Sequence, residues 1–271
     1  MGSKSSDVIT YIKARKIDLD KGLDRYEEEQ VAIETPIRLF LNGEPLTTIM
    51  ALPSNLRELA VGFLIGEGVV THYKDIQNIT VNRNEVWIKS RRVNLRRRKS
   101  ISENGIILTS CSSKVDFYHV LDGLNKKQVI KSYQIDAKNI LENVKESIKR
   151  SKIFRTTGGV HSASIFVDNV LKGFAEDVGR HNAVDKVIGI CLERGIPLER
   201  SVLVTSGRQT ADIILKAARC KIPISVSMRA PLSTGVYVAG LVGITLICFA
   251  RGNRMNVYSH PERVKTIIAS R

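Results

Sequence analysis

Apolar and polar residues alternate through VAIETPIRLFLNGEPLTTIM, residues 31–50, on both sides of NGEP, and this predicts a β-hairpin turning there. The period then changes. In SNLRELAVGFLIGEGVV, Leu59, Phe63 and Leu64 recur at helical spacing, with Ser54 or Asn55 placed to cap a helix. Alternation returns in IQNITVNRNEVWIKS, a second hairpin turning near Arg83 and Asn84. Residues 1–30 are polar and charged and predict an irregular arm with one edge strand. From 90 to 132 the periodicity lapses. The chain there is basic, then rich in Ser and Asn, and too long for a simple connector, so a functional loop is expected. IDAKNILENVKESIKRSKIF predicts an amphipathic helix with Ile140, Val144 and Ile148 on one face.

The second half is more regular. HSASIFVDNVLKGFAED predicts a hairpin turning at Asp168 and Asn169, and RHNAVDKVIGICLERG a helix ended by Gly195. The strands SVLVTSG, IPISVSM and ITLICFARG then alternate with the helices TADIILKAARC and STGVYVAGLVG. Strands alternating with helices make βαβ units. The expected fold is therefore α/β: a three-layer domain with a mixed sheet over residues 133–271, preceded by a smaller α+β unit over residues 1–132.

Composition narrows the function. With 43% apolar residues, 271 residues can bury a sizeable core. No uninterrupted apolar run is long enough to span a bilayer, and the first residues lack the apolar stretch of a signal peptide. No membrane association and a cytoplasmic location are expected. The net charge of +15 calls for an anionic partner: nucleic acid, an acidic protein surface or a phosphorylated ligand. Nucleic acid is disfavoured, because aromatic residues are only 6% of the chain and no base-stacking motif is present. The four cysteines form no C-x-x-C pair, so neither a disulfide framework nor a protein-held metal is expected. Cys191, Cys220 and Cys248 sit in apolar or helix-end patterns and read as packing residues. Cys111, in IILTSCSSK, is flanked by small hydroxyl residues, the setting of an accessible thiol. Upstream, Arg96, Arg97 and Arg98 would favour its thiolate if the fold brings them close.

Ligands of α/β sheets gather beyond the carboxyl ends of strands. Four polar stretches fall at such places: RTTGGVHSA, AEDVGRHNAVDK, TSGRQTAD and FARGNRMN. In the second, Asp177 ends a strand, Gly179 permits a tight turn, and Arg180 and His181 open a helix whose N-terminus favours anions. An ordinary hairpin-to-helix junction would use the same residues. His161 suits a base, a ligand contact or a hydrogen-bonded core residue. Ser206 and Arg208 suit a phosphate, without the P-loop pattern. Arg251 and Arg254 flank a flexible glycine, as a ligand site or a solvated turn would.

Together these stretches resemble the formate dehydrogenase accessory sulfurtransferase family, FdhD. The likeness runs from NGEPLTTIMALPSNLRELAVGFLIGEGVV through TGGVHSA, EDVGRHNAVDKVIG and SGRQTADIILKAA to GITLICFARGNRMNVYSHPERV. It implies a cytidine-deaminase-like C-terminal domain, dimers, and a cysteine that carries persulfide sulfur, here Cys111. A cysteine desulfurase would supply the sulfur. The bis-(molybdopterin guanine dinucleotide) cofactor of molybdenum or tungsten, bound as substrate, would receive it before insertion into formate dehydrogenase. The segment Phe249, Ala250, Arg251, Gly252, Asn253, Arg254, Met255 and Asn256 is implied in binding the guanine dinucleotide. Deamination is not expected, since His161 is followed by Ser162 and Ala163 rather than the H-x-E of zinc deaminases. Lys114 stands where many relatives have a second loop cysteine, which points to delivery without an internal disulfide. A cofactor-binding chaperone without sulfur chemistry is the alternative.

Overall fold

The computed structural model describes residues 8–102, 106–107 and 133–266. The N-terminal region is not an irregular arm. Strands β1 (Ile9–Asp18) and β2 (Leu23–Ala32) pair antiparallel over their full length as a separate two-stranded sheet. Both faces of this hairpin meet solvent, so no apolar alternation marks it. Exposed ion pairs, Arg15 with Asp24 and Lys16 with Glu27, cross it instead.

The next hairpin forms where alternation places it. Strand β3 (Thr35–Leu41) turns at Asn42 and Gly43, both at positive φ, into β4 (Glu44–Ala51). Helix α1 (Leu56–Gly66) follows, then β5 (Ile76–Asn82) and β6 (Glu85–Ser90). The stretch after Ser90 is not all loop, because Leu95–Ser102 form helix α2, whose buried residue is Ile101. Its consecutive charges have no amphipathic period, which hid it. Strand β7 (Ile106–Ile107) pairs parallel to β4 and completes a five-stranded sheet in the order β5-β6-β3-β4-β7.

Beyond β8 (Ile135–Asp136), helix α3 (Ala137–Arg150) buries Ile140 and Val144, together with Asn143 and Ser147. Ile148, expected on that face, is 48% exposed. Ser147 instead meets the sheet, where it hydrogen-bonds Ser164 at 2.7 Å. The predicted helix also breaks at Ser151, and Lys152–Thr157 form a short helix α4. Strands β9 (His161–Val167) and β10 (Val170–Asp177) lead into α5 (Arg180–Glu193), β11 (Ser201–Thr205), α6 (Ala211–Arg219), β12 (Ile224–Ser227), α7 (Ser233–Val242), β13 (Thr245–Arg251) and β14 (Arg254–Val257). A two-residue β15 (Val264–Lys265) pairs with β8.

The six-stranded sheet has the order β10-β9-β11-β12-β13-β14, with a parallel centre (β11, β12, β13) and antiparallel flanks. Alternate residues divide between two cores. Phe166, Val202, Val204, Ile224, Val226 and Ile247 pack with Ile140 and Val144 of α3. Ile165, Leu203, Leu246 and Cys248 share a larger cluster with residues of α5, α6, α7, α1 and the five-stranded sheet. The chain is thus a mixed α/β protein with several sheets and, among the described residues, seven α-helices.

Where α1 crosses α5 the backbones nearly touch. A β-carbon on Gly62 would lie 1.8 Å from the carbonyl oxygen of Asp185, and one on Gly189 would lie 2.0 Å from that of Glu58. Two glycines, one per helix, bring the N-terminal half onto the helix that opens the candidate site. Among the described residues no helix is long and apolar enough to cross a membrane.

Candidate functional site

The carboxyl ends of β10, β11, β12 and β13 lie along one edge of the six-stranded sheet, together with the start of antiparallel β9. His161 pairs in register with Asp177, and Thr205 pairs with both Ala163 and Ser227. This edge collects His161, Arg180, His181, Ser206 and Arg208. Three strand spacings separate β9 from β13, roughly 14 Å, so the β13–β14 tip belongs to the same edge but not to the same contact shell.

His161 Nδ1 lies 3.3 Å from Ser206 Oγ, and that oxygen accepts from the Ser162 N–H at 2.8 Å. Burial lowers the His161 pKa, Arg180 and Arg229 lower it further, and Asp177 opposes them. A neutral imidazole accepting the Ser206 proton satisfies this geometry. Arg180 is half-buried, and its Nε is buried without a hydrogen-bond partner among the described residues. Burial pushes its guanidinium down, with Arg208 adding to the effect and Asp212 opposing it. Arg208 itself is exposed. A β-carbon on Gly207 would come within 2.8 Å of the Arg180 β-carbon, so the turn lies directly against that side chain.

Asp177 is wholly buried. It accepts from the backbone N–H groups of Leu52 and Gly179 and from Asn182 Nδ2, and pairs with Lys186. Lys186 also donates to the carbonyl of Leu52 at 2.9 Å, and Asn182 to that of Met50 at 2.8 Å. Asp177, Asn182 and Lys186 thereby fasten the end of β4 to the start of α5. Gly179 has an ordinary φ of −97°. Space rather than a tight turn requires glycine there, since a β-carbon would sit 2.8 Å from the Asn182 amide nitrogen.

His181 Nε2 faces Thr210 Oγ1 at 3.4 Å. Burial pushes its pKa down to about 3, assisted by Lys216 and Arg180. Behind it Lys216 lies 2.8 Å from Asp185 and 2.7 Å from Glu67. Burial disfavours the Lys216 charge, but the two carboxylates outweigh it and hold the ammonium protonated.

At the far end, Arg251, Gly252, Asn253, Arg254 and Asn256 are exposed, Phe249 and Met255 are half-buried, and Ala250 is buried. Arg251 and Arg254 are paired residues of a hairpin, with Gly252 at φ +59° in its turn. That β14 strand was not legible as more than a turn.

The edge also holds residues that belong to none of the four polar stretches or that act there through buried hydrogen bonds. Ser227 Oγ donates to the Gly207 carbonyl at 2.6 Å and accepts from the Arg229 N–H at 2.9 Å. Gln209 donates to Thr205 Oγ1 at 2.7 Å and accepts from Ser225 Oγ at 2.9 Å. The strand-end rule that selected the other stretches applies equally to MRAP after β12.

Cys191, Cys220 and Cys248 are buried, as their patterns suggest, and burial pushes each thiol up to about 12. Cys111 lies outside the described residues. Among the described residues no group of three His, Cys, Asp or Glu side chains is placed to hold a metal ion. The site offers an anion guanidiniums, a neutral imidazole and a hydroxyl. A separate cavity of about 770 Å³, lined among others by Ser54, Asn55, Lys149, Lys152, Phe174 and Glu176, contains none of His161, Asp177, Arg180, His181, Ser206 and Arg208.

A mixed α/β chain with an anion-favouring strand edge and inert buried thiols is the class this geometry defines. The chain belongs to the FdhD/NarQ family, whose model matches residues 32–265. The sulfur carrier protein FdhD of Bacillus licheniformis is 33% identical over 247 residues, covering 91% of this chain and 94% of that protein. The sulfur carrier protein FdhD of Sulfolobus acidocaldarius is 34% identical, with 93% and 99% covered. A crystal structure from Desulfotalea psychrophila, assigned as a formate dehydrogenase accessory protein, superposes with a TM-score of 0.77 at 29% identity. It covers 95% of this chain and 100% of that one.

Proposed function

We propose that this chain carries sulfur for formate dehydrogenase, with Cys111 as the carrier and a cysteine desulfurase as the donor. The observation that carries the reading is the state of the other thiols. Of four cysteines in the sequence, Cys191, Cys220 and Cys248 are buried with thiols pushed to about 12. A thiol held so far above neutrality supplies almost no thiolate, and the thiolate is the nucleophile. Membership in a family whose relatives are named sulfur carriers supports assigning the chemistry to Cys111.

In the loading step the Cys111 thiolate attacks the terminal sulfur of the donor persulfide. The donor S–S bond breaks, a new one forms on Cys111, and the donor cysteine leaves as a thiolate. The electron pair moves with the bonds, so no outside oxidant or reductant is needed. The terminal sulfur atom would then pass to the molybdenum or tungsten bis-(molybdopterin guanine dinucleotide) cofactor, held as substrate. The Cys111 S–S bond breaks, its electron pair stays on Cys111 as the thiolate, and the cofactor supplies the pair that forms the new bond to sulfur. Arg180, Arg208 and Ser206 are suited to its phosphates, and the exposed tip Arg251–Arg254 to its guanine end. The six-stranded sheet with helices on both faces supports the cytidine-deaminase-like arrangement that the resemblance implies.

The test is complementation. Cys111→Ser should fail to restore formate dehydrogenase in a strain lacking this protein, while still folding and binding nucleotide. Full restoration by Cys111→Ser would favour the chaperone reading.

A further inference from the structure

We infer that the open face of the five-stranded sheet binds single-stranded nucleic acid, with one base stacked on Trp87 above Thr80 and the neighbouring phosphates met by Lys89 and the arginines after it. The inference is independent of the sulfur chemistry and of the strand edge that carries His161 and Arg180.

Ile37, Leu39 and Leu41 of β3, Ile79 of β5, and Val86 and Ile88 of β6 face the large core. The residues between them face the other way. On that side Arg38, Asn78, Thr80, Trp87 and Lys89 are exposed, and Phe40 is half-buried. Two aromatic rings therefore stand on a solvated sheet face. They are in register, Phe40 opposite Trp87, and stack with centroids 3.9 Å apart and planes within 3° of parallel. Neighbouring strands are about 4.8 Å apart, so each strand contributes one ring to the stack. On the other side of Trp87 the register partner is Thr80 of β5. Its side chain is short, and a cavity of about 360 Å³ opens there, lined by Trp87, Thr80, Asn78, Lys89 and Asn42 among others. Phe40 is not part of that lining, so the indole borders the cavity with the face turned away from Phe40. The space continues the stack by one planar ring.

The surroundings hold the indole in place and select the ligand. Trp87 Nε1 donates to Glu85 at 3.1 Å, and Glu85 pairs with Arg38. Arg38 in turn lies 5.9 Å from the centroid of the Phe40 ring. Asn42 is held by the N–H and the carbonyl of Ser90, at 2.8 and 3.0 Å. Asn78 donates to Thr80 Oγ1 at 3.4 Å, a long bond that the edge of a base can replace. No carboxylate pairs with Lys89 among the described residues. From Val86 to Ser102 the chain holds seven lysines and arginines and no acidic residue. Arg91, Arg92 and Arg96 of this run are exposed. An aromatic side chain of a protein partner would fill the cavity and leave that charge unanswered. A base on a phosphate backbone answers both, since stacking on an aromatic ring with cations alongside holds single strands whatever their sequence. Phe40 and Trp87 lie on separate strands and meet only in the fold, which is why the sequence alone disfavours nucleic acid.

Trp87 is the only tryptophan, so the fluorescence of the full chain reports on this cavity. A short single-stranded oligothymidylate should quench it, with an affinity that falls steeply as salt rises. A duplex of the same length, whose bases are already stacked and paired, should not quench it, and neither should GDP. Anisotropy of labelled oligothymidylate serves for the variants. Trp87→Ala should weaken binding about tenfold or more. Thr80→Phe fills the cavity from β5 and suits an exposed strand. It should weaken binding as much, while thermal melting shows a folded chain. Lys89→Ala should weaken binding less and make its salt dependence shallower by about one phosphate contact. Absence of quenching by oligothymidylate, unchanged affinity in either Trp87→Ala or Thr80→Phe, or quenching by the duplex or GDP as strong as by the single strand overturns the inference. Quenching by an acidic, phenylalanine-containing peptide and not by oligothymidylate overturns it in favour of a protein partner.

Discussion

Asp177 Oδ2 lies 2.6 Å from Lys186 Nζ, and neither side chain has any exposed surface. The pair sits under the candidate site and holds Leu52, the residue just after β4, by both its N–H and its carbonyl. It joins the half of the chain that contains β4 and β7 to the helix that presents Arg180 and His181. Removing one partner would leave the other charge buried and alone. Asp177→Ala should cost about 3–5 kcal/mol of stability, read from urea unfolding. Lys186→Met should cost a comparable amount, and the double variant should cost less than the sum. A loss in Asp177→Ala no larger than a surface substitution gives would show that the pair is not the fastener.

The crossing of α1 and α5 gives a second expectation. Gly62→Ala and Gly189→Ala each place a β-carbon against a backbone carbonyl that cannot swing aside. Each should destabilise by about 1–3 kcal/mol or more. Gly240→Ala, on the exposed side of α7 with open space around it, is the control and should be neutral or slightly stabilising. Equal stability of all three variants in thermal unfolding would contradict the close crossing.

The pH dependence follows from His181. Its folded pKa, about 3, is below the usual 6.5, so the unfolded chain binds the extra proton between those values. Its contribution to stability is present above the unfolded pKa, falls as the pH drops below about 6.5, and is fully lost only below about 3. His181→Asn should flatten that part of the stability profile relative to wild type. Parallel profiles for the two proteins from pH 7 to pH 4 would mean that His181 titrates normally.

The exposed tip makes a separate prediction about base selection. Arg251→Ala and Arg254→Ala should each weaken GDP binding about tenfold, and added salt should weaken it in the wild type. Equal affinity of the wild type for GDP and ADP would remove guanine recognition from this site.

The elements that bury one face were legible in the sequence, because burial imposes a period. Ile37, Leu39 and Leu41 alternate inward on β3, and Leu59, Phe63 and Leu64 line α1. The first hairpin was not legible, since Tyr11, Ile12, Ile17 and Tyr26 all meet solvent and no face is selected. Ile148 was misplaced for a related reason. Helical spacing marks a stripe, but the serine pair Ser147–Ser164 decides which side of α3 meets the sheet. At the strand edge, motif spacing found His161, Arg180, Ser206 and Arg208. It passed over Arg229 and Ser227, whose importance lies in hydrogen bonds between separate strand ends.

The central claim is that Cys111 takes up sulfur, and its most direct test is mass spectrometry of the protein after incubation with a cysteine desulfurase and cysteine. The account predicts one added sulfur atom, lost on reduction and located on the peptide containing Cys111. It should persist when Cys191, Cys220 and Cys248 are each replaced by Ala, and vanish in Cys111→Ser. Sulfur found on any of the three buried cysteines, or a wild-type chain that gains none, would contradict it.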